Sequence, residues 1–471
     1  MNKKEKIYEI LLVGSGLSSI CFADSYLEKN KFLNIISPQY KNKKPKKNFH
    51  IFKLLPPQMM KKKNEVNNYF YYNNLKINKN CNIFGTLEFG GLSNYWGLQI
   101  DKNILGDLNH LNYNTKKKIL KSFVEIFKKF NLLGNINLEN NKAENEFKKN
   151  DFIYEKFSKK NKNLYIENAV VGFQKKRKSK VDLNSINETK DKLTPINIFK
   201  KHIKKNRVKI HNFCVKKIRK YKNLLILECS NGKVKKRFIT KKLVLGCGTI
   251  TTTKLILDFL KIYKEIKIKH HPRLFCLYLS KKAWENNMKF QPSYFHLKPK
   301  KNKELFTADF RPGNDLIIDA LIKFKKILFP FRYFLNLIKK NLIFSSILYN
   351  TSYSNLFIKL RKNNEHAEIY SKNKNLKNLF KRTSKLIYNF LKSTKIIFPF
   401  YLNYFPGFGS DFHYFGTIPI KKKNNLSVND KCQLLQNKNI YLVDGSVFEF
   451  KKNKYPLGVI MANSRRIAKE I

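Results

Sequence analysis

The chain has 471 residues, 42% of them hydrophobic, and its 96 Lys and Arg against 33 Asp and Glu give a formal net charge of +63. Apolar residues throughout exclude a disordered or fibrous chain, and the length suffices for roughly two or three domains of ~100–200 residues. Only 11 of the cations are Arg. Because the planar fork of Arg is what usually reads phosphates and bases, no specific nucleic-acid binding is expected. A Lys-rich protein that binds anionic polymers or membrane surfaces stays an open alternative.

Targeting signals and cysteine usage bear on location. The seven cysteines lack CxxC or His/Cys ligand spacing, which predicts free thiols in a reducing, cytoplasmic environment. The apolar run 7–23 contains two glycines, unlike a signal peptide. The uncharged stretch 341–358 contains several polar residues, so no transmembrane helix is predicted. Weak association with a membrane surface stays open for the Phe/Lys-rich segment 322–346.

The N-terminal third begins with a predicted β-α-β unit. Residues 7–13 form an apolar run without helical period, GSGLSS follows, and the next apolar positions fall three and four apart. A second apolar run, 32–36, completes the unit. Loops and short elements are expected over 40–80, and the apolar spacing of 111–130 predicts a core-facing helix.

The middle of the chain alternates in character. Between 208 and 245 the pattern predicts three strands, VKIHNFCVKKI, LLILECS and RFITKKLVLGCG, followed by the helix TTTKLILDFLKIY. Region 271–407 is aromatic-rich and predicted to be irregular, whereas 456–471 predicts a terminal helix. No Pro/Gly/Ser-rich linker separates these parts, which indicates interleaved segments of two domains.

The GSGLSS segment, residues 14–19, has the spacing of a dinucleotide-binding turn. Gly14 would allow the tight turn, Gly16 the approach of a pyrophosphate to the helix N-terminus, and Ser19 close packing of helix on strand. An ordinary tight βα turn is the simpler interpretation. The acidic residue expected at the end of the second strand is replaced by Ser37, which offers one hydroxyl and no carboxylate.

Four further blocks, in order, resemble the glucose-methanol-choline (GMC) oxidoreductase family: FGGLSNYWG, LVLGCGTITTTKLIL, DFHYFGTIPI and the tail from NNLSVNDKCQ to the last helix. The resemblance implies an α/β fold, with an FAD-binding, doubly wound (Rossmann-like) domain and an interleaved α+β substrate domain containing a mainly antiparallel sheet. The segments assigned to the first domain are 1–105, 201–270 and 408–471, and those of the second are 106–200 and 271–407.

The resemblance also assigns residues to FAD. The pyrophosphate turn, the flavin-side loop, the adenine contact and the ribityl region would together comprise Gly14, Ser15, Gly16, Ser19, Ser37, Gly90, Gly91, Ser93, Asn94, Trp96, Val215, Gly248, Asp444, Gly445 and Pro456. Trp96 equally fits a position in the core.

The catalytic assignment rests on His413, in a His-x-x-Gly-Thr segment where the family's His takes the hydroxyl proton as hydride leaves for the flavin. Imidazole suits this role because its ordinary pKa lies near neutrality. A structural His is the alternative. The second position, usually Asn or His before Pro, is here Tyr455, whose neutral phenol could orient a substrate hydroxyl. This departure indicates either an unusual substrate or a lost activity.

The resemblance therefore implies FAD-dependent oxidation of a CH–OH group in an alcohol or carbohydrate-like substrate, with the electron acceptor and any covalent flavin link left open. A flavin-binding protein with a degenerate site is the main alternative. The pair His270-His271 is predicted to be a strand or loop pair and not a metal site. The basic run 175–178 is predicted to be a solvated loop. Aromatic residues that could stack on a sugar, or simply belong to the core, are Tyr294, Phe295, Tyr401 and Tyr404.

Overall fold

The protein is represented by a computed structural model. The residues that it describes are 6–38, 69–70, 73–78, 81–94, 96–97, 99–100, 105–133, 135–136, 143–144, 163–168, 170–174, 192–284, 295–300, 305–313, 318, 322, 326–362, 366–372, 374–420, 426–451 and 454–471. The basic run 175–178, Tyr294 and most of the region 40–80 lie outside these residues.

The α-helices of the described chain have recognisable ends. Asn112 accepts a hydrogen bond from the Thr115 N–H at the start of the second helix, and Thr194 caps the third in front of Pro195. The helices are α1 (Leu17–Lys29), α2 (Tyr113–Phe130), α3 (Pro195–Lys204), α4 (Thr249–Leu260), α5 (Arg332–Leu337), α6 (Lys377–Ser393) and α7 (Leu457–Glu470).

The described residues also form 23 strands. They are β1 (Ile7–Val13), β2 (Leu33–Ile36), β3 (Leu75–Ile77), β4 (Gln99–Ile100), β5 (Leu132–Leu133), β6 (Asn135–Ile136), β7 (Ala143–Glu144), β8 (Leu164–Asn168), β9 (Val170–Gln174), β10 (Val208–His211), β11 (Cys214–Tyr221), β12 (Leu224–Ser230), β13 (Lys235–Leu245), β14 (Ile266–Ile268), β15 (Arg273–Ser280), β16 (Phe295–Pro299), β17 (Phe306–Pro312), β18 (Leu342–Tyr349), β19 (Leu356–Leu360), β20 (Ala367–Tyr370), β21 (Ile397–Tyr404), β22 (Gln433–Leu434) and β23 (Asn437–Leu442).

The fold is mixed α/β, and its largest sheet is parallel at the centre. Strands β10, β2, β1 and β13 lie side by side in parallel, and β23 adds to β13 in the same direction. The long β13 also pairs antiparallel with β12, which pairs with β11. Helix α1 packs against α7, and α7 against α2, over this sheet. Segments from both ends and the middle of the chain thus share one core.

A second large sheet is antiparallel, in the order β21-β15-β18-β17-β16-β8. Helix α6 packs on it, with buried aromatic and aliphatic side chains between them, including Tyr278, Phe310, Tyr349 and Phe380. A four-stranded sheet has the order β14-β19-β20-β3.

The predicted elements 7–13, 32–36, 111–130 and 456–471 are confirmed to within two residues at each end. The single strand expected at the start of 208–245 is instead two, β10 and β11, interrupted at Asn212-Phe213. The prediction that 271–407 is irregular is wrong, because it contains β15 to β21. Alternating polarity is weak in these strands because both faces are buried, as in β17 and β18.

Two features concern the location of the chain. No helix among the described residues has the length and apolar character needed to cross a membrane. None of the seven cysteines, all of which the structure describes, forms a disulfide bond, as predicted, and six of them are buried.

Candidate functional site

The carboxyl ends of the parallel strands meet at one edge of the sheet and position the site. Gly14 donates its N–H to the Ile36 carbonyl at 2.9 Å, and Gly246 donates to the Val13 carbonyl at 2.9 Å. The residues that follow β1, β2, β13 and β23 therefore lie together. This is the edge at which open parallel sheets bind ligands.

A cavity, the first cavity, opens at this edge; its empty space, counted with the open solvent at its mouth, is about 1180 Å³. Helices α1, α4 and α7 begin beside it, the N-cap residue of each makes no side-chain cap, and none carries an acidic residue in its first turn. Because a helix N-terminus presents N–H groups and partial positive charge, three such ends favour an anionic ligand. Lining residues include Gly14, Ser15, Gly16, Ser18, Ser37, Gly91, Ser93, Val215, Gly248, Thr249, Asp444 and Gly445.

The turn between β1 and α1 needs glycine and small side chains. Gly14 has φ +109°, and a Cβ there would lie 2.4 Å from the Gly246 carbonyl oxygen. Ser19 donates its hydroxyl to the same carbonyl at 2.7 Å, so it joins helix to strand. A Cβ at Gly16 would lie 3.3 Å from Ser93 Oγ. Because both positions lack a side chain, the backbone of the turn is open to a ligand.

Serine hydroxyls tie the turn to its neighbours. Ser15 Oγ accepts hydrogen bonds from the Gly90 N–H at 2.9 Å and from the Ser37 hydroxyl at 2.8 Å. The Leu17 N–H, at the start of α1, donates to Ser93 Oγ at 2.9 Å. Ser37 therefore lines the first cavity with its proton directed to Ser15, which leaves its oxygen as an acceptor.

The loop that contains Gly90 and Gly91 is shaped by positive φ angles of +99° and +55°. Asn94 donates to a backbone carbonyl of its own loop at 2.8 Å, and a Cβ at Gly90 would collide with the Asn94 side chain. Trp96 donates its indole N–H to a backbone carbonyl before α3 at 3.1 Å. Both side chains hold the loop in place.

Asp444 lies at the end of β23 and is buried in the floor of the site. Its carboxylate accepts hydrogen bonds from the Thr252 hydroxyl and from the Ser446 N–H. Burial raises its pKa, against the effect of these hydrogen bonds. Gly445 has no room for a side chain, since a Cβ would lie 2.8 Å from a backbone oxygen, whereas nothing lies near a Cβ at Gly248.

A second cavity adjoins the first; its empty space, counted with the open solvent at its mouth, is about 1020 Å³. It lies over the antiparallel sheet, and its polar lining comes from β4, β15, β17, β18, the segment after β21 and the segment before α7. Six residues line both cavities: Leu92, Ser93, Phe412, Tyr414, Leu457 and Ile460. A ligand held in the first cavity can therefore present one end to the second.

His413 lines the second cavity. Its Nδ1 has no hydrogen-bond partner among the described residues and lies 3.9 Å from Asp411 Oδ2. Burial lowers the pKa of His413 to about 4, although the Asp411 charge raises it. The imidazole is therefore neutral at pH 7 and has an acceptor to offer.

Asp411 supports the histidine from behind and is fully buried. Its carboxylate accepts hydrogen bonds from His270 Nδ1 at 3.0 Å and from the His271 N–H at 2.8 Å. Burial raises the pKa of Asp411, but His270 and the other histidines outweigh burial and hold it below its usual range. His270 and His271 lie in the loop before β15 and donate hydrogen bonds to this carboxylate.

Tyr455 lies beside His413, with ring centroids 6.0 Å apart and the rings edge to face. Its hydroxyl donates to Asp309 Oδ2 at 3.0 Å, and it stacks on His296 at 4.8 Å. Burial and the Asp309 charge raise its pKa well above the usual value, so the phenol stays neutral. With its proton committed, Tyr455 presents an acceptor to the cavity.

The residues assigned from sequence thus divide by position. The first cavity takes in Gly14, Ser15, Gly16, Ser37, Gly91, Ser93, Val215, Gly248, Asp444 and Gly445, and the second takes in Ser93, Trp96, His413, Tyr455 and Pro456. Ser19, Gly90 and Asn94 lie behind these surfaces and support the turn and the loop. Tyr401 stacks on Tyr278 and packs in the core of the antiparallel sheet, away from the cavity.

Sequence reasoning missed polar residues of the second cavity, namely Gln99, Arg273, Arg311, Ser346 and Asp411. Each belongs to a different segment of the chain, and no motif joins them. The shared signal is a charged or polar residue within an otherwise apolar strand, as in RLFCLYLS and FTADFRP.

Comparison with known proteins does not name a family. The chain matches no protein-family model and no curated protein significantly.

Proposed function

We propose that the protein is an FAD-dependent oxidoreductase of the GMC type that oxidises a CH–OH group. The observation that carries the proposal is the junction of two cavities, one beside three helix N-termini and the other containing His413. A dinucleotide with a redox-active ring needs both environments, side by side.

The first cavity has the features that FAD would need. Its parallel strands with α1 directly after β1 are typical of a Rossmann-like, doubly wound nucleotide-binding domain. Gly14 and Gly16 would admit the pyrophosphate to the start of α1, and Val215 would lie against the adenine. Asp444 and Gly445 would face the ribityl chain at the start of α7. The ribose would meet the Ser37 oxygen in place of a carboxylate.

FAD would supply the hydride acceptor. The protein's own contribution is a neutral imidazole at His413, which can accept the proton of a substrate hydroxyl at its other ring nitrogen, Nε2, because Nδ1 is buried and faces Asp411. Asp411, 3.9 Å away, would stabilise the imidazolium formed. Tyr455 would accept a hydrogen bond from a second polar group of the substrate. The mouth between the cavities, lined by Leu92, Phe412 and Leu457, would exclude water.

A flavin-binding protein without catalysis is the second candidate. It is favoured by the Tyr455 hydroxyl, which is tied to Asp309, and by the Ser37 hydroxyl, which is tied to Ser15. Under this candidate FAD binds but no alcohol reduces it.

The test is anaerobic bleaching of the purified flavoprotein by a panel of alcohols, sugars and hydroxy acids. We expect at least one compound to bleach it, and His413→Asn to abolish bleaching while FAD stays bound. His366→Asn, at a partly exposed position on the four-stranded sheet, is the matched control. If FAD is bound but no compound bleaches it, the result would favour the flavin-binding protein without catalysis.

A further inference from the structure

Two arginines line the cavity that contains His413. Arg273 begins β15 and Arg311 lies in β17, on either side of β18. Arg311 is 7% exposed and forms an ion pair with Asp309 at 3.3 Å. Asp411 is the one acid among the described lining residues. The cavity wall is therefore more cationic than anionic.

Arg273 differs from Arg311 in its partners. Within the described residues it has no carboxylate within 4.0 Å, and its Nε has no hydrogen-bond partner. Its guanidinium instead lies 5.4 Å from the Phe275 ring and 6.0 Å from the Phe412 ring. Asp309 and Asp411 lie close enough to act on its charge, but neither is paired with it, and a buried guanidinium without a paired carboxylate favours a ligand that supplies one.

A second polar atom of the same wall is also unsatisfied. Ser346, on β18, is 3% exposed, and its hydroxyl has no hydrogen-bond partner in the described part of the chain. Gln99 lies beside Arg311, 3.4 Å from its guanidinium. The part of the second cavity's lining that is not shared with the first cavity thus offers a cation, a hydroxyl and an amide.

We propose that the substrate carries a carboxylate that binds Arg273, with Ser346 and Arg311 beside it, and that the hydroxyl to be oxidised faces His413. The planar fork of Arg matches the two oxygens of a carboxylate. This inference rests on the proposed function and narrows its substrate to a hydroxy acid.

The experiment compares matched compounds that differ only in the acid group: lactate with 1,2-propanediol, and glycerate with glycerol. We expect hydroxy acids to bleach the flavin at least ~30-fold faster at equal concentration. Arg273→Gln should remove this preference while FAD stays bound, and Arg382→Gln, at an exposed position on α6, should keep it.

Binding without turnover gives an independent readout. Oxalate, which has no hydroxyl to oxidise, should raise the melting temperature of the wild-type protein and of Arg382→Gln but not of Arg273→Gln. Equal bleaching by diols and acids, a preference for glycerol 3-phosphate, or an oxalate shift that survives Arg273→Gln would overturn the carboxylate site and leave alcohol oxidation standing. Bound FAD that no compound bleaches would instead count against the proposed function.

An independent observation concerns the surface of the antiparallel sheet. In the segment 326–341, which contains α5, six large apolar side chains are between 56% and 79% exposed: Ile327, Phe329, Phe331, Tyr333, Phe334 and Leu337. Leu328, Leu335 and Ile338 of the same segment point inward onto Leu342 and Phe344. The segment is therefore anchored on one side and apolar on the other. We call the six exposed residues the apolar patch.

The edge strand β21 extends this apolar character on the same face of the sheet. Leu402 lies opposite Leu277, and Leu277 packs in the cluster beneath the apolar patch. Phe398, Phe400 and Leu402 are each more than 40% exposed. This many exposed apolar side chains indicate a surface that is covered by another apolar surface.

The charge of the segment around the apolar patch indicates what covers it. No Asp or Glu occurs between residues 320 and 364, whereas Arg332, Lys339 and Lys340 flank the apolar patch in a chain of net charge +63. We propose that the apolar patch docks on an anionic lipid bilayer. Aromatic side chains flanked by cations suit the interface between headgroups and acyl chains. Phe344, beneath the patch, also lines the second cavity, so docking would bring the substrate cavity close to the membrane.

Co-sedimentation with vesicles tests this at physiological salt. We expect binding to vesicles of phosphatidylcholine with about 30% phosphatidylglycerol, and at least ~10-fold weaker partitioning for Phe331→Ser/Phe334→Ser. Tyr113→Ser/Tyr221→Ser removes two other exposed aromatic rings and should bind normally. Binding that the Phe331/Phe334 variant retains, or dimers in solution that this variant dissolves, would overturn the proposal.

Discussion

The two cavities are built by different means. The first is shaped by backbone: glycines at φ +109° and +87°, three helix N-termini, and serine and threonine hydroxyls that tie adjacent turns. The second is shaped by side chains: Asp309 and Arg311 come from β17, Arg273 from β15, and Asp411 and His413 from the segment after β21. Backbone cavities depend on short contiguous motifs, whereas side-chain cavities depend on the tertiary packing of distant segments.

The largest effect is expected where backbone geometry is least tolerant. Gly14→Val introduces a Cβ 2.4 Å from the Gly246 carbonyl oxygen at φ +109°, which would displace the turn that is proposed to hold the pyrophosphate. We expect purified Gly14→Val protein to contain less than about a tenth of the wild-type FAD, measured by absorbance after denaturation. Gly232→Ala, also at a positive φ but in a surface turn, controls for backbone strain. Full flavin content in Gly14→Val would remove the turn from the cofactor site.

The second-largest effect is expected on the rate of flavin reduction and not on the amount of bound FAD. His413→Gln should lower the rate of flavin reduction by roughly 10²–10⁴-fold, the usual contribution of a general base, with FAD content unchanged. Because burial lowers the pKa of His413 to about 4, the wild-type rate should be level from about pH 5.5 to 8 and fall only as pH approaches 4. Stopped-flow reduction measures both. A rate that falls already near the ordinary imidazole pKa of about 6.5 would contradict this environment for His413.

Asp411→Asn tests the support behind the histidine. It leaves His270 and the His271 N–H facing an amide in a buried site, which should cost about 2–4 kcal/mol of the free energy of unfolding. The pKa of Asp411 is lower in the folded protein than in the unfolded chain. Its stabilisation is therefore present above pH ~4, the unfolded value, and lost as pH falls further. Urea titrations at about pH 7 and pH 3.5 should show the variant's deficit shrinking at the lower pH. If the variant lost the same free energy of unfolding at both pH values, the lowered pKa of Asp411 would be refuted.

The smallest effect is expected at Ser37. Ser37→Ala removes one hydrogen bond to Ser15 and one acceptor for a ribose, and we expect about a 3–10-fold rise in the FAD dissociation constant. Apoprotein titrated with FAD provides the value. A change of roughly 100-fold or more would mean that Ser37 carries the full role of the missing carboxylate.

The sequence predicts the elements around the first cavity well and those around the second cavity poorly, for physical reasons. The β1 turn and α7 follow local rules of period and glycine position, and their boundaries are reproduced almost to the residue. The region 271–407 hides its strands because β17 and β18 are buried on both faces and lose the alternation that marks a strand. Arg273 and Asp411 come together only through sheet pairing, which no local pattern contains.

The absorption spectrum of the purified protein tests the central claim most directly. We predict the near-ultraviolet and blue absorption bands of a bound flavin, and release of intact FAD into the supernatant on denaturation. A colourless protein that cannot be reconstituted with FAD would contradict the account, because both cavities would then need another ligand.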